Sequence, residues 1–275
     1  MRHLKCFAAI VPLIALGACG KSEQASAPAD AAPAAAQPAA APSGADAAAI
    51  DAALANPNRL AGDREEDDWR KSGEVLRFLE LRPGMRVVDY FSAGGFNTEL
   101  MSYVVGPEGK VVAYNNQPYL KYSEKKVAER YANNRLPNVV QLTAAPEEAP
   151  FEPGRFDAAL FVLGYHDLYW KAKDNSWPTT DPTKSLARLV PALEPGAVVV
   201  VVDHVANAGG DPGAVVDALH RIDPALIKRD FEAAGLVFDG ESDVLRNAAD
   251  DHSKPVFDES IRHKTDRVVY RFRKP

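Results

Sequence analysis

The sequence predicts an α/β fold: a doubly wound, mostly parallel sheet of seven strands. Three observations predict it. Short runs such as Ala197-Val-Val-Val-Val-Val202 are apolar throughout, which suits strands buried on both faces of a parallel sheet. Helical stretches alternate with these runs at spacings of roughly 20–40 residues, the rhythm of βα units. Hydrophobic residues make up 46% and charged residues 25% of the 275 positions, so beyond the N-terminal segment the chain can bury one large core.

The first fifty residues carry none of this pattern. Arg2 and Lys5 precede the apolar run Phe7–Leu16, which suits a signal-peptide core and is too short to span a bilayer. Leu16-Gly17-Ala18-Cys19 resembles a bacterial lipoprotein box, which implies residues 1–18 as signal peptide and lipidation of Cys19. An ordinary signal peptide is the alternative. Gly20 after the cysteine leans, by the same resemblance, toward an outer-membrane anchor facing the periplasm. Between Lys21 and Ala49, 15 of 29 residues are Ala and 4 are Pro. Residues 19–49 therefore read as a lipidated tether that cannot nucleate a core, and 50–275 as the folded domain.

Composition narrows the chemistry. The only cysteines are Cys6 and Cys19, so the body has no thiolate nucleophile and no Cys-ligated zinc. The net charge is −6, and no general nucleic-acid surface is expected of it.

The elements follow in order. Glu66–Leu81 predicts a short helical arm and a helix ending before Arg82-Pro83-Gly84. Met85–Tyr90 is the first strand, Ser92–Gly95 a small-residue turn, and Thr98–Val105 a helix. Lys110–Tyr114, Asn138–Leu142, Arg155–Leu163 and Ala197–Val202 are strands two to five, with helices over 121–133 and 183–193 and a turn at Glu194-Pro-Gly196. Helix 223–234 leads to a sixth strand starting at Leu236–Phe238, and Arg267–Phe272 is the seventh.

Four strings carry a family resemblance: Leu81 to Glu99, Val105 to Ala113, Leu193 to Asp203, and Phe231 to Leu236. Together they resemble the motifs of class I S-adenosylmethionine-dependent methyltransferases, with a Rossmann-like sheet. More narrowly, Gly164-Tyr-His-Asp-Leu-Tyr-Trp170, Asp203-His204, Leu219–Asp223 and Lys264–Arg267 look like a group of exported bacterial predicted methyltransferases. The resemblance spans roughly residues 64–275 and implies S-adenosyl-L-methionine as cofactor.

It also implies where that cofactor sits. An acid ends the first strand, and small residues stand two, four and six positions later so the backbone turns tightly under the ligand. Here these are Asp89, Phe91, Ala93 and Gly95, and Phe91 is a departure that would crowd the site. Asp89, Ala93, Gly94, Gly95 and Thr98 are the cofactor-binding candidates of this turn. Asn115 stands where an acid usually holds the ribose, and Ala145 where an acid often lies near the adenine. Both weaken the expected polar grip.

His166 and Asp167 end the fourth strand and Asp203 and His204 the fifth, beyond the carboxyl ends where ligands bind in open α/β sheets. His166 is the candidate general base, with Asp167 or His204 in support; each histidine also reads as a loop cap. Imidazole and carboxylate suit a divalent metal, but neighbours on a strand point to opposite faces, and no metal is expected. Tyr165, Tyr169, Trp170 and Trp177 read equally as a substrate wall or as packing. The arm bearing Arg64, Asp68 and Arg70 folds over the cofactor or lies on the surface. Asp250-Asp251-His252 reads as a lid over the same end of the sheet if the sixth strand runs parallel to the others, or as a solvated charge cluster.

The reading is a lipid-anchored envelope methyltransferase acting on a small molecule, with no protein partner implied by any residue. Its rival is a non-catalytic ligand-binding envelope lipoprotein on the same fold, favoured by Asn115, Ala145 and the cytoplasmic origin of S-adenosylmethionine.

Overall fold

Local signals start most of the helices where they are found. The computed structural model describes residues 44–174 and 176–275, so the signal peptide, Cys19 and the tether up to residue 43 lie outside the described residues. Eight α-helices are described: α1 (Ala47–Ala55), α2 (Asp63–Arg70), α3 (Ser72–Phe78), α4 (Phe96–Val105), α5 (Gln117–Arg130), α6 (Pro182–Leu189), α7 (Pro212–Leu219) and α8 (Pro224–Ala233). The strands are β1 (Arg86–Tyr90), β2 (Lys110–Asn115), β3 (Val139–Thr143), β4 (Phe156–Val162), β5 (Leu193–His204), β6 (Val237–Glu241) and β7 (Arg267–Arg273). Three helices begin at Asp-Pro pairs, Asp181-Pro182, Asp211-Pro212 and Asp223-Pro224. In each the aspartate carboxylate accepts from a first-turn amide, while proline supplies a preset φ where no amide hydrogen is needed.

The seven strands lie in the order β3-β2-β1-β4-β5-β7-β6. β1 to β5 are parallel, and β7 runs antiparallel to both β5 and β6. The predicted mostly parallel, doubly wound sheet is therefore the observed one. Strand order reverses between β1 and β4, which opens the ligand crevice at their carboxyl ends. β6 is parallel to β5, so the segment between β6 and β7 leaves and returns at that same end.

Period-2 alternation splits the core in two. Val87, Leu160, Val198, Val200 and Val202 face α1, α3 and α4, whereas Val88, Phe161, Val199 and Val201 face α6 and α8. All nine are 2% exposed or less. At roughly 25 cal/mol per Å² of apolar surface, these layers are the main stabilising term.

Several boundaries differ from those expected. The fold begins before residue 50: Asp46 caps α1 through the Ala49 amide at 2.9 Å and donates its own amide to Leu81. Ile50 and Ala53 are buried against α3 and α4, so residues 46–49 are not tether. α5 starts at Gln117, four residues early, because Asn116 accepts from the Tyr119 amide. Glu194-Pro-Gly196 lies inside β5 as a register shift against β4, with Gly196 at φ 83°. α1 and α7 were not anticipated.

Candidate functional site

The turn after β1 is built from within. Asp89, 2% exposed, accepts from Thr98 Oγ1 at 2.6 Å, so the end of β1 is tied to the first turns of α4. Burial pushes the Asp89 carboxyl up to about 6, against the pull of the Thr98 bonds and of Arg130 and Arg70. Phe91, Ala93 and Gly95 all have positive φ, at 58°, 46° and 78°. Two of these three are side-chain-bearing residues in a conformation that favours glycine.

Asn115 and Thr98 do not take the positions expected of them. Asn115 is 5% exposed, and its amide is spent on the turn itself: Oδ1 accepts from Ala93 N at 2.8 Å, and Nδ2 donates to Ser92 Oγ at 3.0 Å. No polar group of it is left for a ribose. Thr98 is fully buried and reaches Asp89 instead of the crevice. Ala145 is exposed beyond β3, while Ala93 and Gly94 are half-buried on the turn.

Phe91, 4% exposed, packs into the aromatic core beside Tyr90 and Tyr114. Its ring stacks on Tyr119 at 4.7 Å, and a Cβ at Gly164 would stand 3.3 Å from its own Cβ. Tyr119 in turn donates to Asp167 and meets Trp177 edge-on at 5.2 Å. Nothing in the spacing of the sequence marks Tyr119; only folding α5 back over β1 brings it here.

The arm closes the other flank. Arg130 of α5, 2% exposed, pairs with Asp63 of α2 at 2.8 Å and with Glu99 of α4, and its Nε donates to the Gly94 carbonyl at 2.5 Å. Arg70 stacks over the Phe96 ring at 4.3 Å. Asp68 pairs only with Lys71 on the surface, and Arg64 donates to the Ala55 and Asn56 carbonyls.

The predicted histidine lies beyond the ends of β4 and β5, between Asp167, one of the two partners proposed for it, and Asp203, which was not. His166, 3% exposed, meets Asp203 through Nδ1 at 2.7 Å, and its amide donates to the other Asp203 oxygen at 2.9 Å. Asp167 faces Nε2 at 3.4 Å. Burial pulls the imidazole down, but Asp167 and Asp203 together outweigh it and bring His166 up to about 9. The ring is thus charged near neutral pH, holding a proton that a resting general base would lack. His204 behaves oppositely: burial, helped by the charges on His166, Arg267 and Arg221, brings it down to about 3 against the pull of Asp203. It bonds Thr265 through Nδ1 and lies 6.2 Å ring to ring from His166. His220, unnoticed as a site residue, lies 5.8 Å from His166. Among the described residues no three His, Asp or Glu side chains converge to hold a metal ion.

The aromatic group divides. Tyr165 and Tyr169 both donate to Asp230 of α8 and belong to packing. Trp170 and Trp177, 5.2 Å apart, stand beside Tyr119 and His220 as a wall next to His166. Asp250 is a strut for Arg221, not a free lid charge, and Asp251 caps Ser253 at the surface.

Solved structures share this fold. A S-adenosylmethionine-dependent methyltransferase from Aquifex aeolicus superposes with a TM-score of 0.53 at 20% identity, over 82% of this chain and 98% of that one. The fold is that of the class I S-adenosylmethionine-dependent methyltransferases. The [4+2]-cyclase SpnF shares the methyltransferase fold too, with a TM-score of 0.51 at 15% identity, over 75% and 81% of the two chains. Residues 69–158, from the end of α2 into β4, match the protein-L-isoaspartate(D-aspartate) O-methyltransferase family. The ubiquinone/menaquinone biosynthesis C-methyltransferase UbiE of Idiomarina loihiensis is 30% identical over 124 residues, 45% of this chain and 44% of that protein. The chain thus spans under half the length of that relative.

The backbone fits the methyl donor better than the side chains do. Positive φ at 91, 93 and 95 and the Asp89–Thr98 brace are the shape such a turn needs. At the positions expected to meet the ribose and the adenine stand Asn115, turned inward, and Ala145.

Proposed function

We propose that the chain transfers a methyl group from S-adenosylmethionine to a small-molecule acceptor, at the carboxyl ends of β1, β4 and β5. The observation that carries this reading is the braced glycine-type turn at Asp89–Gly95 standing across the β1/β4 switch point from the His166–Asp203 pair. Similarity to the isoaspartate O-methyltransferase family over the segment holding that turn, and to UbiE over 124 residues, supports the methyl donor. When bound, the donor supplies an electrophilic methyl group. The backbone of Ala93–Gly95 and the Asp89 carboxylate would hold its amino-acid side. Trp170 and Trp177 would exclude water from the acceptor, and His166 would move the proton.

His166 holds its proton too tightly to be free at pH 7, so a base here works through a small neutral fraction and turnover rises toward pH 9. Removing it with His166→Ala is expected to lower kcat by about 10²–10⁴-fold while cofactor binding persists. Undiminished turnover in that variant would leave His166 a structural group.

The donor itself is tested first. S-adenosylmethionine or S-adenosylhomocysteine at 100 times its Kd stabilises by about 2.7 kcal/mol, worth roughly 5–10 °C in Tm for a domain of this size. No shift with either at millimolar concentration overturns the methyl-donor reading and leaves a binding lipoprotein on a methyltransferase fold. We further place the protein at the cell envelope, lipid-anchored through Cys19 and facing the periplasm, on the strength of Leu16-Gly17-Ala18-Cys19.

A further inference from the structure

Beneath the N-terminal arm lies a pocket lined by none of the residues given a role in the proposed reaction. Arg70 of α2, Ser72 of α3, Asn97 of α4 and Arg267 at the start of β7 line it, with Val75 and Leu245 as apolar walls. We infer that this pocket is a binding site for the carboxylate of a small organic acid, held between the Arg267 and Arg70 guanidinium groups.

Two buried polar atoms support it. Arg267 is 5% exposed, and its Nε has no hydrogen-bond partner; Ser72, 3% exposed, has an Oγ equally unsatisfied. Such orphans are costly unless a ligand completes them. Among the described residues the Arg267 guanidinium has one hydrogen bond, from Nη2 to the Trp69 carbonyl at 2.8 Å, and no carboxylate pairs with it within 4 Å. Asp266 next to it is engaged elsewhere, by Arg246 and His252 at 3.0 Å each and by the Asn247 amide at 2.8 Å. A buried guanidinium without a counter-charge is rare, and burial together with Arg70 pulls Arg267 down to about 10.

Charge and size narrow the ligand. Arg70 is already bonded to Glu66 at 2.6 Å, so the pocket carries about one net positive charge and suits a monoanion. Guanidinium groups match a planar carboxylate, and Val75 and Leu245 flank it as apolar walls. The pocket's free volume is 10 Å³, about what one water needs. Arg70, 23% exposed in its side chain, forms the wall nearest solvent. His204 pairs with Arg267 across β5 and β7, which sets the pocket beside the candidate catalytic histidines.

The site stands whether or not the methyl-donor reading does, because its probe is sodium formate. Thermal melts of the full chain with formate, against sodium chloride at equal ionic strength, should show a saturable rise in Tm. Arg267→Met should raise the formate Kd at least tenfold. Ser72→Val, which fills the pocket from the opposite wall, should do the same and serves if Arg267→Met does not fold.

Two sources of the carboxylate are then separated. If it is the donor's amino-acid end, formate competes with S-adenosylmethionine. Arg267→Met then weakens that ligand tenfold without affecting methylthioadenosine, which lacks the group. If it is the acceptor's acid, formate and S-adenosylmethionine bind without competing. A Tm that rises no more with formate than with chloride means an ordinary buried water only and overturns the proposal, as does a formate response that both variants retain.

Discussion

Two carboxylates from different segments decide the charge on His166. Asp167 precedes the loop to α6, and Asp203 ends β5, yet both face one imidazole that burial alone would have kept neutral. The folded value of about 9 lies above the ordinary 6.5, so the stabilisation is complete below about pH 6.5 and is lost as pH rises through 9. It amounts to roughly 3 kcal/mol at most, from about 1.4 kcal/mol per unit. Wild type should therefore exceed His166→Gln in Tm by several degrees at pH 6, and the gap should close by pH 9.5. A gap that stays constant over that range would show that His166 carries no extra proton. His204 contributes with the opposite sign: its stabilisation is present above 6.5 and lost as pH falls toward 3. That histidines end β4 and β5 was legible from position and spacing. Their opposite protonation was not, because it depends on burial and on distant residues, Asp203 for His166 and Arg221 and Arg267 for His204, as well as on the adjacent carboxylates.

At the scale of elements, a buried ion pair helps hold the segment between β6 and β7. Arg221, between α7 and α8, is 0% exposed; it donates to the Val205 and Lys254 carbonyls and pairs with Asp250 at 2.9 Å. Asp250 also accepts from the Asp266 amide at 2.7 Å, so it joins β5, the α7–α8 link and the approach to β7. Breaking such a pair leaves a charge buried and unmatched, which costs about 3–5 kcal/mol. Asp250→Ala should lower stability by that amount in urea melts, and adding Arg221→Met should restore most of it. Equal losses in the single and double variants would mean that packing, not charge, is at stake. The same scale shows why some helices escaped the sequence. α1 is an alanine-rich helix whose weak apolar stripe reads as tether until Ile50 meets α3 and α4. α7 opens with Pro212-Gly213 and carries two valines, a poor helical sequence in which Asp211-Pro212 was the overlooked signal.

For the whole molecule, attachment and catalysis are separable. The described helices include none long and apolar enough to cross a membrane, and lipid on Cys19 would be the attachment. Cys19→Ser is expected to move the protein from the membrane to the soluble envelope fraction. Retention on membranes after a high-salt wash would refute the anchor.

The sequence by itself determined the strands, their number and the turn after β1. These depend on local composition: β-branched runs have one stable home inside a parallel sheet, and an acid followed by small residues bends the chain sharply after it. Tertiary structure alone decided which side chains meet. β7, inserted antiparallel between β5 and β6, carries Arg267 to Arg70 across almost the whole length of the domain. The same closure sets Asp203 on His166 and turns Asn115 onto the turn after β1. Partner choice and charge there follow from burial and from fields that act through space, and neither is written in the spacing of residues along the chain.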